Sequence, residues 1–394
     1  MLAFMLPSLV SFRLSEQRRQ VALPRRADPP RAGRFAGLAL AVVALGCEGG
    51  NPGATLVDSD EPEIEEEHED SCAEAGSESE KMYWQVWETL DETYPYFDYK
   101  EIDWPALGAG CAVYVCAEGS GYREFLDEAM NCLLGPLRDH HVAVVDRHGT
   151  LYQYGLPDAD ANSDAELTDG LLDDGSVMET DYTVTGTLLG GEVGYVRVDT
   201  WSATALEGVD FGALVAQVGD VAAVVIDARS NGGGDPAIAA RLAGQFTADA
   251  TTPYAYYQFR VEDDEDPLTH ELSDPLPFTL GAAAVADEPF RGKVAVLLGA
   301  DCVSACESFA AMFDTDVPDS RSFGATTRGA SGWPHSYVLE DEKTTLYGST
   351  LITTLADSGL PIEWNGVPPD EFVDFTGDGR DEVLEAALDW LRSD

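Results

Sequence analysis

The chain has 394 residues, 44% of them apolar, so it is long enough for one large domain or two smaller ones with a sizeable core. Its 72 acidic and 23 basic side chains leave a formal charge of −49. Such a surface repels phosphate backbones and anionic headgroups, which excludes nucleic acid as the main partner and fits a protein kept soluble in a salty or extracytoplasmic setting.

The chain begins against this trend. Arg13, Arg18, Arg19, Arg25, Arg26, Arg31 and Arg34 precede an apolar run from Ala36 to Gly46. A basic flank before an apolar run too short to span a bilayer predicts an export signal over residues 1–46. The end of the run resembles the lipobox of bacterial lipoproteins, which implies a lipid anchor on Cys47. Ala44 and Leu45 reverse the usual order of that motif, and an ordinary signal cut near Gly46 is the other reading. Residues 47–80 follow as an acidic linker, almost continuously charged from Asp58 to Asp70 and without apolar period.

Ordered structure is expected from residue 81. Tyr83, Val86, Trp87, Leu90 and Tyr94 share one helical face. Tyr122, Phe125, Leu126, Ala129, Met130, Leu133, Leu134 and Leu137 predict a second helix. It runs into Arg138-Asp139-His140-His141, a turn with two histidines, and then a strand from Val142 to Val145. These elements make a helical subdomain over 81–150. Residues 151–187, rich in Asp, Gly and Ser, are expected as an acidic surface excursion, and 188–394 as the core of the molecule.

Within that core Gly194–Val198 and Val221–Ile226 read as strands, the second apolar throughout and so buried on both faces. It ends in Asp227-Ala228-Arg229-Ser230-Asn231-Gly232-Gly233-Gly234. Glycines there let backbone N–H groups approach a ligand, or simply make a tight turn. A phosphate cradle would want a lysine followed by Ser or Thr, and neither is present. A further buried strand, Val294–Leu298, leads into Asp301-Cys302-Val303-Ser304-Ala305-Cys306-Glu307. Phe309, Met312 and Phe313 then have helical spacing. Ser304 thus stands at a strand-to-helix turn, as an N-cap or as a nucleophile beside free backbone donors. Two strands around 336–353 and a last helix carrying Val383, Leu384, Ala387, Leu388 and Leu391 complete an α/β pattern.

Four motifs in order now carry a resemblance. They are Leu137-x-Asp139-x-His141, Asp227-x-Arg229-x-Asn231-x-Gly233-Gly234, Ser304-Ala305-x-Glu307 and Glu363-x-x-Gly366-Val367-x-Pro369-Asp370. Together they resemble the C-terminal-processing (tail-specific) serine peptidases, a superfamily that includes the tricorn protease core and the interphotoreceptor retinoid-binding protein. The resemblance spans residues 80–392. It implies a crotonase-like α/β spiral of ββα units behind a small N-terminal helical subdomain. It also implies Ser304 as nucleophile, and an oxyanion hole from the N–H groups of Ala305 and Gly233, with Gly232 as an alternative.

The chain departs from the Ser/Lys branch of that superfamily. The loop Thr327-Arg328-Gly329-Ala330-Ser331-Gly332 has no lysine, and Lys81, Lys100, Lys293 and Lys343 all lie elsewhere. Arginine cannot serve as a base. The tricorn branch uses histidine, and His141 matches its position, with His140 and His335 as rivals. Glu363 matches that branch's acidic member, with Asp139 as a rival orienter. The interval between Val145 and Val193 is too short and too acidic for the family's usual PDZ domain, so none is expected.

Six further cysteines, an even number in an exported chain, predict disulfides. Cys302–Cys306 would pin the nucleophile turn, and Cys111–Cys116 would close a short loop. Asp374-x-Thr376-x-Asp378-Gly379 with Glu385 in the twelfth place resembles a calcium loop, but no helix precedes it. No metal or cofactor is assigned. The expectation is an exported serine endopeptidase or carboxyl-terminal-processing peptidase acting on peptides or proteins. The alternative is an inactive peptide- or apolar-ligand-binding protein on the same fold.

Overall fold

The computed structural model describes residues 78–116, 122–146, 149–155, 162–219, 221–262 and 270–393. The expected export signal, Cys47 and the linker through residue 77 lie outside the described residues.

Helices α1 (Glu78–Thr93), α2 (Trp104–Cys111) and α3 (Tyr122–Leu134) surround a core of their own. On α1, Met82, Tyr83, Val86 and Leu90 are buried at helical spacing. Helix α2 starts where the Asp103 carboxylate accepts the Ala106 N–H, with Pro105 in the first turn. Tyr94, Trp104, Met130, Leu133 and Leu137 fill the space between them. Cys111 is bonded to Cys132 across the α2–α3 interface rather than to Cys116. The reason is orientation: buried Cys111 faces α3, whereas Cys116 sits at the far end of a tight 3-10 turn that begins at Ala112.

The main sheet has seven strands among the described residues: β1 (Met178–Glu179), β2 (Thr183–Leu188), β3 (Val193–Val198), β4 (Ala223–Asp227), β5 (Lys293–Leu298), β6 (Ser320–Gly324) and β7 (Glu371–Phe372). They lie in chain order across the sheet. Strands β1 to β3 are antiparallel, and β3 through β7 are parallel. The unbroken apolar runs of β4 and β5 follow from burial on both faces. Val224, Ile226, Val294, Val296 and Leu298 face a layer holding α4 (Pro236–Ala243) and α5 (Ala305–Asp316), with Phe309 and Phe313 in it. Val225, Ala295 and Leu297 face the opposite layer, where α6 (Glu382–Leu391) contributes Val383, Leu384 and Ala387.

The stretch 151–187, expected as a surface excursion, supplies β1 and β2. The buried Asn162 side chain donates to Leu298 O at 2.7 Å, and the buried Thr168 hydroxyl to Asp381 at 2.7 Å. Its acids serve turns: Asp173 accepts the N–H groups of Gly190 and Gly191, closing the β2–β3 hairpin. Composition hid these contacts because the few buried residues are scattered among exposed acids. Nor does the N-terminal helical part end separately, since Ala143–Val145 pairs antiparallel with Thr345–Tyr347 in a second sheet. A third sheet joins Ala255–Gln258, Leu276–Phe278 and Ile352–Leu355.

Arg229, just past β4, ties the layers together. Fully buried, it donates to Asp227 and to Asp381, the N-cap of α6. Among the described residues no helix is long and apolar enough to cross a membrane.

Candidate active site

Strand β5 ends at Leu298 and the chain turns sharply into α5. Ser304 is the N-cap, with φ +58° and ψ −115°. An L-residue adopts that conformation only when its surroundings compel it. The compelling contacts are all present. The Cys302–Cys306 disulfide brackets the turn as expected. The Ser304 N–H donates to Ala330 O and to Glu307 Oε2, each at 3.1 Å. Glu307 is fully buried and also accepts from Thr327 Oγ1 (2.8 Å), Gly329 N (2.6 Å) and Ala330 N (3.0 Å). Burial pushes its carboxyl up to about 7 against the pull of these donors.

The glycine turn after β4 approaches from the other side. Gly233 has φ +91°, and a Cβ there would lie 2.4 Å from Val303 O and 2.9 Å from Ser304 Cβ. Only glycine permits this approach. The expected use of its N–H needs correction, however, because that N–H already donates to Asn231 Oδ1 at 2.9 Å. Asn231 is itself held through Nδ2 to Val198 O. The Gly233 carbonyl points away, accepting from Trp201 N and Thr200 Oγ1. In a trans peptide the next N–H points opposite to that carbonyl, so the Gly234 N–H is directed away from Trp201 and Thr200. Gly234 and Ala305 both line a cavity of about 330 Å³ into which Ser304 opens.

The histidine turn completes the cluster. His141 Nε2 lies 3.1 Å from Ser304 Oγ, across 163 residues of sequence. Burial lowers the His141 pKa below its ordinary value despite the nearby Asp139 charge, and His140 and Lys100 lower it further. Asp139, also buried, holds the His141 backbone: its Oδ1 accepts the His141 N–H at 2.8 Å. The same oxygen is 3.9 Å from His141 Nδ1, which is buried without a hydrogen-bond partner. The rivals are placed elsewhere. His140 Nδ1 is 3.1 Å from Tyr154 O, and His335 is exposed on the strand Pro334–Val338.

Glu363 does not bond either histidine. Its Oε1 accepts from Lys100 Nζ at 2.6 Å and its Oε2 from Ser331 N at 3.0 Å. Burial, together with the Asp139 charge, pushes it up to about 8 against the attraction of Lys100. Lys100 was not singled out by sequence, since it lies far from the glycine-rich loop. Its ammonium also donates to Leu137 O, lies 3.6 Å from Asp139, and is caged by Tyr94, Tyr96 and Trp364. The available signal was a rare lysine directly after an aromatic run, Tyr94-x-Tyr96-Phe97-x-Tyr99-Lys100. A second cavity of about 240 Å³ is lined by Gly329 and Ala330 together with Arg138, His140, Arg328, Glu363 and Trp364. The calcium-like stretch is self-paired: Glu385 binds Arg380, and Thr376 donates to Glu382.

Residues 192–373 match Peptidase family S41, and residues 76–130 match the tricorn protease C1 domain. No curated protein matches the chain in sequence. In fold it is similar to a crystal structure assigned as a peptidase from Parabacteroides merdae, with 22% identity and a TM-score of 0.67, covering 80% of this chain and 98% of that one. It is also similar to mature CPAF (12%, TM-score 0.54, 79% and 95% covered). A lipoprotein from Streptococcus agalactiae shares the fold as well (12%, TM-score 0.51, 81% and 97%). With both family matches falling on the segments that carry His141, Gly233, Ser304 and Glu363 or lead into them, the chain belongs to the S41 superfamily of C-terminal-processing peptidases.

Proposed function

We propose that the protein is an exported serine peptidase that cleaves peptide bonds through an acyl-enzyme on Ser304, with His141 as general base. The observation that carries this is the 3.1 Å approach of His141 Nε2 to the hydroxyl of a serine held in a strained N-cap conformation. A lowered His141 pKa keeps the imidazole neutral, and hence basic, at neutral pH.

In acylation Ser304 Oγ attacks the substrate carbonyl while its proton passes to His141 Nε2. The carbonyl oxygen becomes an oxyanion beside the N–H groups of Ala305 and Gly234, with Gly233 allowing the close approach rather than donating. The C–N bond then breaks, and His141 returns the proton to the leaving amine. Water, activated by the same histidine, hydrolyses the ester. Asp139 supports the imidazolium by charge and by fixing the His141 backbone. Glu363 acts at one remove, positioning Ser331 and Lys100.

The alternation of parallel strands β3 to β6 with helices supports the crotonase-like description of the core. The entry of Met178–Glu179 and Thr183–Leu188 into the main sheet supports a site without a PDZ domain. Two disulfides among the described residues support export to an oxidising compartment, with Cys47 as the proposed lipid anchor. A non-catalytic binding protein is the second reading, favoured by the unpartnered His141 Nδ1, which leaves the tautomer unfixed.

Digestion of a mixed peptide library by the mature protein, read by mass spectrometry, tests the proposal. New termini should appear with the wild type and be lost in Ser304→Ala. Equal cleavage by both proteins, or none by a folded wild type, removes it.

A further inference from the structure

The cavity beside Ser304 has a composition that neither the motifs nor the catalytic pair require. We infer that it receives a large apolar side chain on the residue that acylates Ser304, and that Trp333 and Phe278 set this preference. The inference rests on the peptidase reading above.

Its walls combine three aromatic rings and two prolines with the hydroxyls of Ser308, Ser331 and Thr353. Tyr254 stacks on Phe278 at 6.1 Å between ring centres and 9° between planes. Phe278 in turn stacks on Trp333 at 5.7 Å and 21°, so three rings form one continuous wall. Pro236, Pro334 and Thr353 line it as well. Among the described lining residues the sole charged side chain is Asp235, whose carboxylate accepts the Ala237 N–H as the N-cap of α4. A volume of about 330 Å³ lies at the lower end for small-ligand sites, which suits one bulky side chain.

Trp333 is the unusual member. Its backbone has φ +49°, and 44% of its surface is exposed. Folding alone favours neither a strained backbone nor an exposed indole. Both are enforced by its neighbours. Thr350 Oγ1 donates to Trp333 O at 2.8 Å, Thr350 and Leu351 donate their N–H groups to Gly332 O, and a Cβ on Gly332 would lie 2.0 Å from Ser349 Oγ. The ring is therefore held at the rim of the cavity by a dedicated set of contacts.

The direction of catalysis assigns this cavity to the acyl side. His141 must reach the leaving nitrogen to protonate it, and His141 is not among the lining residues. Gly234 and Ala305, whose N–H groups face the developing oxyanion, are. The acyl residue's side chain accordingly falls among the three rings.

The test is a set of peptide anilide substrates that differ only at the acyl residue: Phe, Leu, Ala, Lys and Glu. Each protein is also labelled with a fluorophosphonate lacking any side chain for the cavity, to establish that Ser304 is reactive. The wild type should favour Phe and Leu over Ala, Lys and Glu by at least about tenfold in kcat/KM. Trp333→Gly, which suits the positive φ, and Phe278→Ala should each reduce that ratio towards one. A flat ranking, or a preference for Lys or Glu, in a wild type that labels at Ser304 overturns the inference and leaves the peptidase reading standing. A ratio unchanged in both variants does the same. A folded wild type that neither labels nor cleaves overturns both.

Discussion

The site depends on a few buried ionisable groups whose charges are set by their surroundings. His141 has its pKa lowered chiefly by burial, so its neutral form persists below the ordinary histidine value of roughly 6.5. The rate of Ser304 labelling against pH should therefore rise through an acid limb below that value. A limb at or above it would contradict the assignment of His141 as base. Lowering a histidine's pKa also means that the unfolded chain binds the extra proton first, so this group's contribution to stability is lost as pH falls below roughly 6.5. Lys100 lies between two buried carboxylates, Glu363 and Asp139, with its own side chain fully buried. Lys100→Met should cost about 3–5 kcal/mol in denaturant unfolding, because it removes the buried cation that lies between the acids Asp139 and Glu363 and leaves their oxygens short of a donor. Adding Glu363→Gln should recover part of the loss, and a neutral Lys100→Met would show that the cluster is not stabilising as drawn. Ser304 and His141 were legible because each sits in a short local motif at an element boundary. The partner of Glu363 was not, since Lys100 meets it across 263 residues with no pattern linking them. Similarly, no sequence feature tells whether the Gly233 N–H is open or bound to Asn231.

Among the elements, the two strand-to-helix turns after β4 and β5 matter most, and they fit only because Gly233 has no side chain. Gly233→Ala places a methyl 2.4 Å from Val303 O at φ +91°. It should lower the Ser304 labelling rate by about 10²-fold or more while costing about 1–3 kcal/mol of stability. Labelling at the wild-type rate would mean that the turns are not mutually fitted. The buried strands β4 and β5 could be found from sequence because parallel strands covered on both faces are apolar at every position. Strand β2 could not, since Thr183, Thr185 and Gly186 give it a polar composition although both threonines are buried. The Cys302–Cys306 bridge was legible from its place around Ser304. Cys111–Cys132 was not, because it reports the packing of two helices rather than a loop.

At the scale of the molecule, sequence order and fold agree closely: the seven strands lie across the main sheet in the order in which they occur. That made the α/β class accessible from the alternation of elements. The antiparallel pairing of Ala143–Val145 with Thr345–Tyr347, which carries the histidine turn to the serine, has no local signature. The formal charge of −49 acts on the whole chain through self-repulsion. Raising salt from about 0.01 M to about 1 M shortens the screening length from about 30 Å to about 3 Å, so the thermal midpoint should rise over that range. A midpoint that falls would show that surface attraction outweighs repulsion. The most direct test of the central claim is fluorophosphonate labelling of the mature protein with the modified residue located by mass spectrometry. The account predicts a single adduct on Ser304, abolished in Ser304→Ala and slowed by at least about 10³-fold in His141→Ala. An unlabelled, folded wild type, or labelling that His141→Ala leaves unchanged, would contradict it.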